Sequence, residues 1–436
     1  MSPESKRLQV LAVSDYWNST DFTGGVTVLN RALCRALADR DDMAVTCRVG
    51  EPGPIRDPLV TIRTMSSIPG VDAKGQLLRL DGLPRNVDVI VGHSTHSGGA
   101  AQYLRDQRYA DALSVHLMHT TPAEYARYRG DSELADLKTE QERTLIAGAD
   151  LVVGVGPLLN QEAARLARST LFTAGRQPAI HELIPGMPSD GMVRNLRGIH
   201  QTKFNLLMSG RIQDEAKRAE TAAAALRLSR AKGHDVHLTV VGVPAKSVRK
   251  VEEKLSLLAG NLVKVVPFTG NQHNLAVHIA EADLVVAPAV HEDWGLAPWE
   301  ALGRRVPTLL SATSGVARFL SDPSRVPPHL GAVFTVPEPD DVRDRPALWA
   351  GRIERFLDNP DAYARLTHEL GDLLIPKYTW GRAARKLGEH VLAIYASPRQ
   401  RPTATARQRR PSRPSITTPD RARVSVSAPR SKGVVR

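Results

Sequence analysis

Two glutamates separated by seven residues lie at a turn that leads from a predicted strand into a predicted helix. Glu292 and Glu300 belong to the segment 291–302, which reads HEDWGLAPWEAL. The segment follows the apolar run 283–288. Pro298 fits the first turn of a helix, where the N–H that proline lacks would have no partner. Two carboxylates therefore flank a strand-to-helix turn.

The start of this helix predicts an anion-binding site. Its first backbone N–H groups, around Gly295, Leu296 and Ala297, have no partner within the helix and form the positive end of its dipole. A cleft that joins such N–H groups to hydroxyl-binding carboxylates suits a nucleotide sugar. The alternative is a solvated helix start, because two glutamates at this spacing often occur by chance.

A second segment places two cations after a predicted strand. Residues 209–218 read SGRIQDEAKR and follow the strand predicted over 204–208. An Arg can bind a diphosphate through two parallel hydrogen bonds, and a Lys adds a point charge, so Arg211 and Lys217 predict a diphosphate site. A solvated basic turn is the alternative, but the position at the carboxyl end of a strand favours function.

In the first half of the chain, glycines and histidines follow predicted strands. Gly24 and Gly25 lie between the first strand and its helix, where glycine lets a ligand approach the backbone closely. His119 follows a later strand. His93 and His96 follow the strand before it and stay open between packing and ligand binding, since an isolated His is more often a packing residue.

Taken together, these segments resemble those of retaining glycosyltransferases with the GT-B fold, of the large family 4 type. Glu292 and Glu300 match the family's E-x(7)-E pattern. Arg211 and Lys217 match its G-R-x(5)-K phosphate clamp. The resemblance covers most of residues 8–395, is strongest in the second half, and implies two domains with the donor bound in the cleft between them.

The resemblance implies a role for each residue. Arg211 and Lys217 would bind the departing diphosphate, and Glu300 would bind the ribose hydroxyls. Glu292 would bind hydroxyls of the transferred sugar or stabilise positive charge near C1, and His119 would contact that sugar from the opposite domain. The glycine loop would lie near the donor phosphate and the acceptor. The predicted catalytic residues are thus His119, Arg211, Lys217 and Glu292, and the predicted substrate-binding residues are Gly24, Gly25, Gly295, Leu296, Ala297 and Glu300.

Three residues depart from the family pattern. Arg218 follows the clamp lysine where many relatives have Gly, and Arg305 stands where relatives usually place Gly after the helix. If residue 305 is left-handed, a side chain there costs about 1 kcal/mol. Trp294 replaces the commoner Phe. Neither Arg305 nor Trp294 removes a chemical group, so we expect local repacking at both.

Short apolar runs alternate with helical patterns, which predicts an α/β protein with two Rossmann-like doubly wound domains facing each other across a cleft, the GT-B architecture. First-domain strands are predicted over 8–13, 44–49, 87–91, 113–117 and 151–155, and second-domain strands over 204–208, 236–241, 262–266, 284–287 and 307–310. Helices are predicted over 26–37, 363–374 and 382–394. The predicted division is an acceptor-side domain (1–190), a nucleotide-sugar-binding domain (191–375), a helix packing back on the first domain (376–396) and a tail (397–436).

The net charge of +12 arises mostly from the tail. Residues 397–436 hold ten Arg, one Lys and one Asp, whereas the rest of the chain has 47 basic and 45 acidic side chains. The tail lacks aromatic residues, and its composition cannot offset the entropy of ordering, so we expect disorder. It would make weak electrostatic contact with anionic lipid or nucleic acid, or serve only to solubilise the protein.

The motifs predict a retaining glycosyltransferase that moves a hexose-type sugar from a UDP- or GDP-linked donor to an unidentified acceptor. We expect no cofactor and no metal, and the D-x-D sequence at 39–41 is interpreted as a solvated turn. Cys34 and Cys47, expected to be reduced, and the lack of an apolar run of about 20 residues predict a cytoplasmic protein, or one peripheral at a membrane. The alternatives are an inactive scaffold that binds sugar nucleotides and a protein whose tail binds nucleic acid or anionic membrane.

Overall fold

The computed structural model of the chain describes residues 7–18, 24–128, 130–174, 177–188, 191–192, 203–212 and 215–397. The prediction of a disordered tail therefore lies outside the described residues, apart from its first position. Within the described ranges, no helix is both long enough and apolar enough to cross a membrane.

The first sheet has seven parallel strands in the order β3-β2-β1-β4-β5-β6-β7. Five of them were predicted from apolar runs, and these agree to within two residues at each end. The two missed strands, β3 and β7, lie at the edges of the sheet, where partly exposed side chains replace the apolar run. The strands are β1 Leu8–Ser14, β2 Met43–Val49, β3 Thr61–Arg63, β4 Val89–His93, β5 Leu113–Met118, β6 Leu151–Val155 and β7 Ala179–Leu183.

The second sheet has six parallel strands in the order β10-β9-β8-β11-β12-β13. The five predicted strands are present, and the missed one, β13, is an edge strand of two residues. The strands are β8 Lys203–Ser209, β9 Asp235–Val243, β10 Lys264–Pro267, β11 Leu284–Ala287, β12 Thr308–Ser311 and β13 Thr335–Val336. Two parallel α/β sheets confirm the predicted fold class.

Helices connect the strands in both halves. The helix predicted over 26–37 is present in the first connection. Of its apolar residues at helical spacing, Leu29, Leu33 and Leu37 are buried and Val26 is partly buried. The helices are α1 Gly25–Ala38, α2 Ala73–Leu77, α3 Ser94–Arg108, α4 Pro122–Tyr128, α5 Ser132–Ala147, α6 Gly156–Ala174, α7 Ala219–Ala231, α8 Val248–Ala259, α9 Gln272–Glu281, α10 Leu296–Gly303, α11 Gly315–Leu320, α12 Pro328–Phe334, α13 Arg345–Asp358, α14 Pro360–Leu374 and α15 Trp380–Ala396.

The last helix, α15, contacts the first half of the chain. Tyr395 donates a hydrogen bond from Oη to Asp88 Oδ1 at 3.0 Å, and Arg40 donates to the carbonyl oxygen of Arg385 at 3.2 Å. These contacts support a helix that returns to the first domain, while the predicted domain boundaries stay predictions.

Each sheet has one point where the strand order reverses, between β1 and β4 in the first sheet and between β8 and β11 in the second. In doubly wound sheets, ligands bind at such points, beyond the carboxyl ends of the strands. The loops that follow these strands therefore form the place to look for a functional site.

Candidate active site

A cavity of about 310 Å³ lies between the carboxyl ends of the two sheets. All ten residues predicted from sequence line it, although they come from loops and helix starts spread over residues 24–300. Their roles stay predictions, whereas their assembly in one place is a structural observation. They are Gly24, Gly25, His119, Arg211, Lys217, Glu292, Gly295, Leu296, Ala297 and Glu300.

Two helix N-termini meet across this cavity. Helix α1 begins after Gly24 and helix α10 begins after Gly295, which adopts φ +103°. A Cβ atom at Gly25 would lie 2.9 Å from Leu296 Cδ1, so glycine permits this close approach. Both helices direct the positive ends of their dipoles into one space, which favours a bound anion.

The predicted clamp lies beside the start of α1. Arg211 follows β8, and its guanidinium is about 4 Å from where a Cβ of Gly24 would lie, with Cζ at 3.9 Å. Lys217 ends a short 3₁₀ turn, and its side chain passes over Gly210. A Cβ atom at residue 210 would lie 3.5 Å from Lys217 Nζ. Gly242, the second-last residue of β9, has φ +109° and lets Gly210 pack tightly against it, since a Cβ at residue 242 would overlap with Gly210 O. The tight glycine contact thus holds the clamp loop against β9.

One of the predicted glutamates pairs with the clamp lysine. Glu292 Oε2 accepts a hydrogen bond from Lys217 Nζ, and the exposed fractions of the two side chains are 21% and 16%. Glu292 is also held by its backbone, which forms a parallel bridge with Ser314 and accepts from Gly315 N at 2.9 Å. Glu300 lies one turn into α10, is half-buried and lines the same cavity.

Aromatic packing fixes α10. Trp299 is fully buried and donates from Nε1 to Pro185 O at 2.9 Å. Trp294 is 3% exposed and packs edge-on against Trp299 and Phe319, with ring centroids 5.1 and 5.8 Å away. It reaches the first half at Gly156, where a Cβ would overlap with the indole ring. The larger indole is therefore accommodated by local packing, as expected.

A hydrogen-bonded cluster that sequence reasoning missed joins the two sheets. Asp293 Oδ2 accepts from Thr121 N at 3.0 Å, and Oδ1 accepts from Thr121 Oγ1 at 2.7 Å. His291 Nε2 lies 3.2 Å from Asp293 Oδ1 and 2.9 Å from Thr121 Oγ1. Burial opposes the charge on His291, yet Asp293, Glu124 and Glu292 together raise its pKa above the usual value. The signal was present in sequence, because Asp293 lies between two motif residues.

His119, the histidine predicted from sequence, belongs to a series of buried, hydrogen-bonded side chains. His119 Nε2 lies 2.6 Å from His93 Nδ1, and His93 Nε2 lies 2.9 Å from Asn30 Oδ1. His93, which stayed open between packing and binding, is 1% exposed, contacts His119 and also lines the cavity. Burial, assisted by the charges of His96 and His116, lowers the pKa of His93 to about 3.

Asp15 is a further cavity residue that the sequence did not single out. It directly follows β1, and its carboxyl Oδ2 lies 3.9 Å from Nδ1 of His96, which ends on the same cavity. Burial raises the pKa of Asp15 to about 6 and lowers that of His96 to about 4. Its position at the carboxyl end of a strand was the available signal. Among the described residues, no group of three or more His, Cys, Asp and Glu side chains could hold a metal ion.

Comparisons with known proteins place these features in a family. Residues 11–387 match the family described as Family 4 Glycosyltransferase in conflict systems. The D-inositol 3-phosphate glycosyltransferase of Mycolicibacterium gilvum is 27% identical over 296 residues, which cover 65% of this chain and 61% of that protein. The corresponding enzyme of Thermomonospora curvata is 27% identical over 352 residues, 74% of each chain. A GDP-mannose-dependent alpha-(1-6)-phosphatidylinositol dimannoside mannosyltransferase of Mycobacterium tuberculosis is 26% identical over 198 residues, 45% of this chain and 46% of that one.

Solved structures share the fold. Sucrose-phosphate synthase from Thermosynechococcus elongatus superposes with a TM-score of 0.69 at 19% identity, covering 90% of this chain and all of that one. WaaG, a glycosyltransferase involved in lipopolysaccharide biosynthesis, superposes with a TM-score of 0.60 at 16% identity, covering 88% and 99%. With two parallel sheets, two opposed helix starts and the family match over residues 11–387, the chain belongs to the family 4 glycosyltransferases and has the GT-B fold.

Proposed function

We propose that the protein transfers a hexose from a UDP- or GDP-linked sugar to an unidentified acceptor, with retention of configuration. The observation that carries this proposal is the assembly of two cations, two glutamates and two helix N-termini around one cavity. The family match supports glycosyl transfer, and the name of one relative supports a nucleotide-sugar donor, since it specifies GDP-mannose.

The diphosphate binds between the start of α1 and the clamp. Cleavage of the bond from C1 to oxygen places negative charge on the departing diphosphate. Arg211, Lys217 and the N–H groups at the start of α10 are held by the protein before that charge develops, so they stabilise the transition state more than the ground state. Loss of one such contact raises the barrier by roughly 2.7–4 kcal/mol. These groups supply the positive charge, and we therefore expect turnover without a divalent metal.

The glutamates bind the two sugars of the donor. Glu300 accepts hydrogen bonds from the ribose hydroxyls, and such bonds to a charged group contribute about 1.5–3 kcal/mol each. Glu292, held beside Lys217, faces the transferred sugar and stabilises positive charge near C1. His119 contacts the same sugar from the first half of the chain.

Nucleotide binding tests the site. We expect UDP or GDP to raise the melting temperature of the wild type, since ligand at 100 times its Kd adds about 2.7 kcal/mol. Arg211→Ala and Glu300→Ala should each remove most of this shift. Arg249→Ala is the matched control, because this arginine is 92% exposed and its ion pair is with Glu253, in the next turn of its helix. Unchanged melting with every nucleotide would overturn the proposal.

The stereochemical course has its own test at Asp15, the carboxyl of the first half that lines the cavity. In front-face substitution the departing phosphate accepts the acceptor's proton, and no carboxylate bonds to C1. We expect Asp15→Asn to retain donor hydrolysis within about tenfold, because it removes at most a hydrogen bond to a charged group. Intact-protein mass spectrometry should show no added hexose during turnover. A covalent hexose that disappears in Asp15→Asn would instead show double displacement.

Turnover separates this enzyme from an inactive scaffold. Release of free UDP or GDP from its sugar requires catalysis, whereas a scaffold would show only the melting shift. Binding of anionic lipid or nucleic acid by the tail is a separate proposal. Removal of the residues after Tyr395 should leave turnover unchanged and abolish any binding that is lost at high salt.

A further inference from the structure

Three buried polar side chains connect the interior of the first half to the cavity. Asn30 lies on α1, His93 ends β4 and His119 follows β5. Their exposed fractions are only 1%, 1% and 8%. Strands β4 and β5 pair in parallel, with His93 opposite Leu117, so the two histidines meet at the carboxyl edge of the sheet.

The two histidines differ in how many of their ring nitrogens form hydrogen bonds within the protein. His93 uses both inside the protein, since Nδ1 lies 2.6 Å from His119 Nε2 and Nε2 lies 2.9 Å from Asn30 Oδ1. His119 uses only Nε2 in this way. Its Nδ1 has no hydrogen-bond partner within the described part of the chain, and the residue lines the cavity.

Both rings are neutral at physiological pH. Burial lowers the pKa of His93 to about 3 and that of His119 well below its usual value, and neighbouring His96 and His116 act in the same direction. A neutral imidazole has one donor nitrogen and one acceptor nitrogen. When two neutral imidazoles are hydrogen-bonded to each other, the nitrogen that carries the proton in one ring therefore determines which nitrogen carries it in the other.

Asn30 determines which nitrogen donates in each hydrogen bond between Asn30, His93 and His119. Its Oδ1 accepts a hydrogen bond from Cys34 Sγ at 3.4 Å, and its Nδ2 donates to Cys47 Sγ at 3.7 Å. An oxygen can only accept, so His93 carries its proton on Nε2 and accepts at Nδ1. His119 must then donate from Nε2, which leaves a lone pair on its Nδ1.

We propose that Asn30 and His93 are positioning residues that hold His119 in the tautomer protonated at Nε2, so that its Nδ1 accepts a hydrogen bond from a hydroxyl group of the donor sugar. The contact with sugar rests on the proposed function, whereas the tautomer does not. A site built to accept from a hydroxyl discriminates strongly against an analogue that lacks it, so this chain of residues contributes to donor specificity.

The tautomer can be measured on the full chain without turnover. Long-range ¹H–¹⁵N NMR of protein labelled with ¹⁵N-histidine should show His119 protonated at Nε2 only, with no titration between about pH 6 and 8. Asn30→Gln keeps a neutral amide oxygen as the acceptor and should preserve this tautomer. Asn30→Leu removes the acceptor and should give a mixture. Leu33→Ala, a buried change on the same helix, is the matched control and should leave His119 unaltered.

Kinetics then test the consequence for the donor. With whichever of UDP-glucose and GDP-mannose is hydrolysed, Asn30→Leu and His93→Leu should lower kcat by about tenfold, the effect of one misdirected hydrogen bond. The Kd of the free nucleotide should stay within about twofold, since UDP and GDP lack the sugar whose hydroxyl group is proposed to bind His119, and Asn30→Gln should keep kcat close to that of the wild type. A wild-type His119 protonated at Nδ1, or a control Leu33→Ala that behaves like Asn30→Leu, would overturn the proposal. If neither donor is hydrolysed, the proposed function fails while the NMR result still decides the tautomer.

Discussion

Lys217 has one ionic partner in the structure and a second in the proposed complex with the donor. Its ammonium group pairs with Glu292, and it is also one of the two clamp cations proposed to bind the diphosphate. An ammonium group has three donors, so it can bridge both anions. The carboxylate orients the lysine but also reduces the positive charge that the diphosphate meets. We therefore predict that Glu292 opposes nucleotide binding and supports the chemical step, two effects that a substitution can separate.

Glu292→Gln should tighten UDP or GDP binding while it lowers turnover. A partly exposed ion pair contributes up to about 1 kcal/mol, so its loss should improve nucleotide affinity by no more than about fivefold. The loss of the charge beside C1 should lower kcat by at least about 100-fold. Calorimetric titration and turnover assays measure the two. Glu253→Gln, in an exposed pair, is the control, and weaker nucleotide binding by Glu292→Gln would contradict this account.

Two departures from the family pattern lie at helix ends. Arg218 precedes α7 with φ +55°, and Arg305 follows α10 with φ +59°. Residue 305 is thus left-handed, which meets the condition stated for a cost of about 1 kcal/mol, and residue 218 has the same backbone geometry, which glycine adopts without strain. Arg305 compensates for the strain, because it donates to His368 O at 2.8 Å and to Asp372 Oδ1 at 2.5 Å on α14.

Two substitutions at Arg305 should separate strain from contact. Arg305→Ala keeps the left-handed strain and loses both hydrogen bonds, so we expect the free energy of unfolding to fall by about 1–2 kcal/mol. Arg305→Gly loses the same bonds but relieves strain of about 1 kcal/mol and should stay closer to the wild type. Chemical denaturation measures both values. Equal destabilisation by the two variants would show that the conformation at 305 carries no strain.

At the scale of the whole molecule, hydrogen bonds between side chains and backbone join the two halves beside the cavity. Thr121 comes from the first half and Asp293 from the second, and their two hydrogen bonds join residues 172 positions apart. Asp293 is 4% exposed, and His291 lies beside its carboxylate. This cluster adjoins Glu292, so the contact between the halves lies directly beside a proposed catalytic residue.

The cluster predicts a pH dependence of stability. The folded pKa of His291 is raised above 6.5, so its contribution is complete below that pH and is lost as pH rises through the folded value. Buried histidines with lowered pKa values, such as His93, change the stability at pH values below 6.5 instead. We expect the melting temperature of the wild type to fall between about pH 6 and 8.5 and the fall to be smaller in Asp293→Asn. His329→Gln, at an exposed pair, is the control; an equal fall in Asp293→Asn would disprove the assignment.

Local sequence patterns determined the central strands and the residues of the motifs. An apolar run of five or six residues, such as 151–155, predicts a buried strand, because a strand that is buried on both faces needs apolar side chains on both. Arg211 and Glu300 could be placed at strand ends and helix starts, because each motif includes its own turn. Doubly wound order then implied that these ends would meet at one cleft.

Contacts between distant segments were decided only by the tertiary structure. Edge strands such as Thr61–Arg63 pair on one side alone and need no apolar run, so their sequence carries little signal. The partners of His119 and Asp293 lie on other strands and helices, and hydrogen bonds between side chains follow no spacing along the chain. The pKa of Asp15 likewise depends on burial, which packing alone sets. The sequence thus determined which groups were available, and the fold decided which of them act on one another.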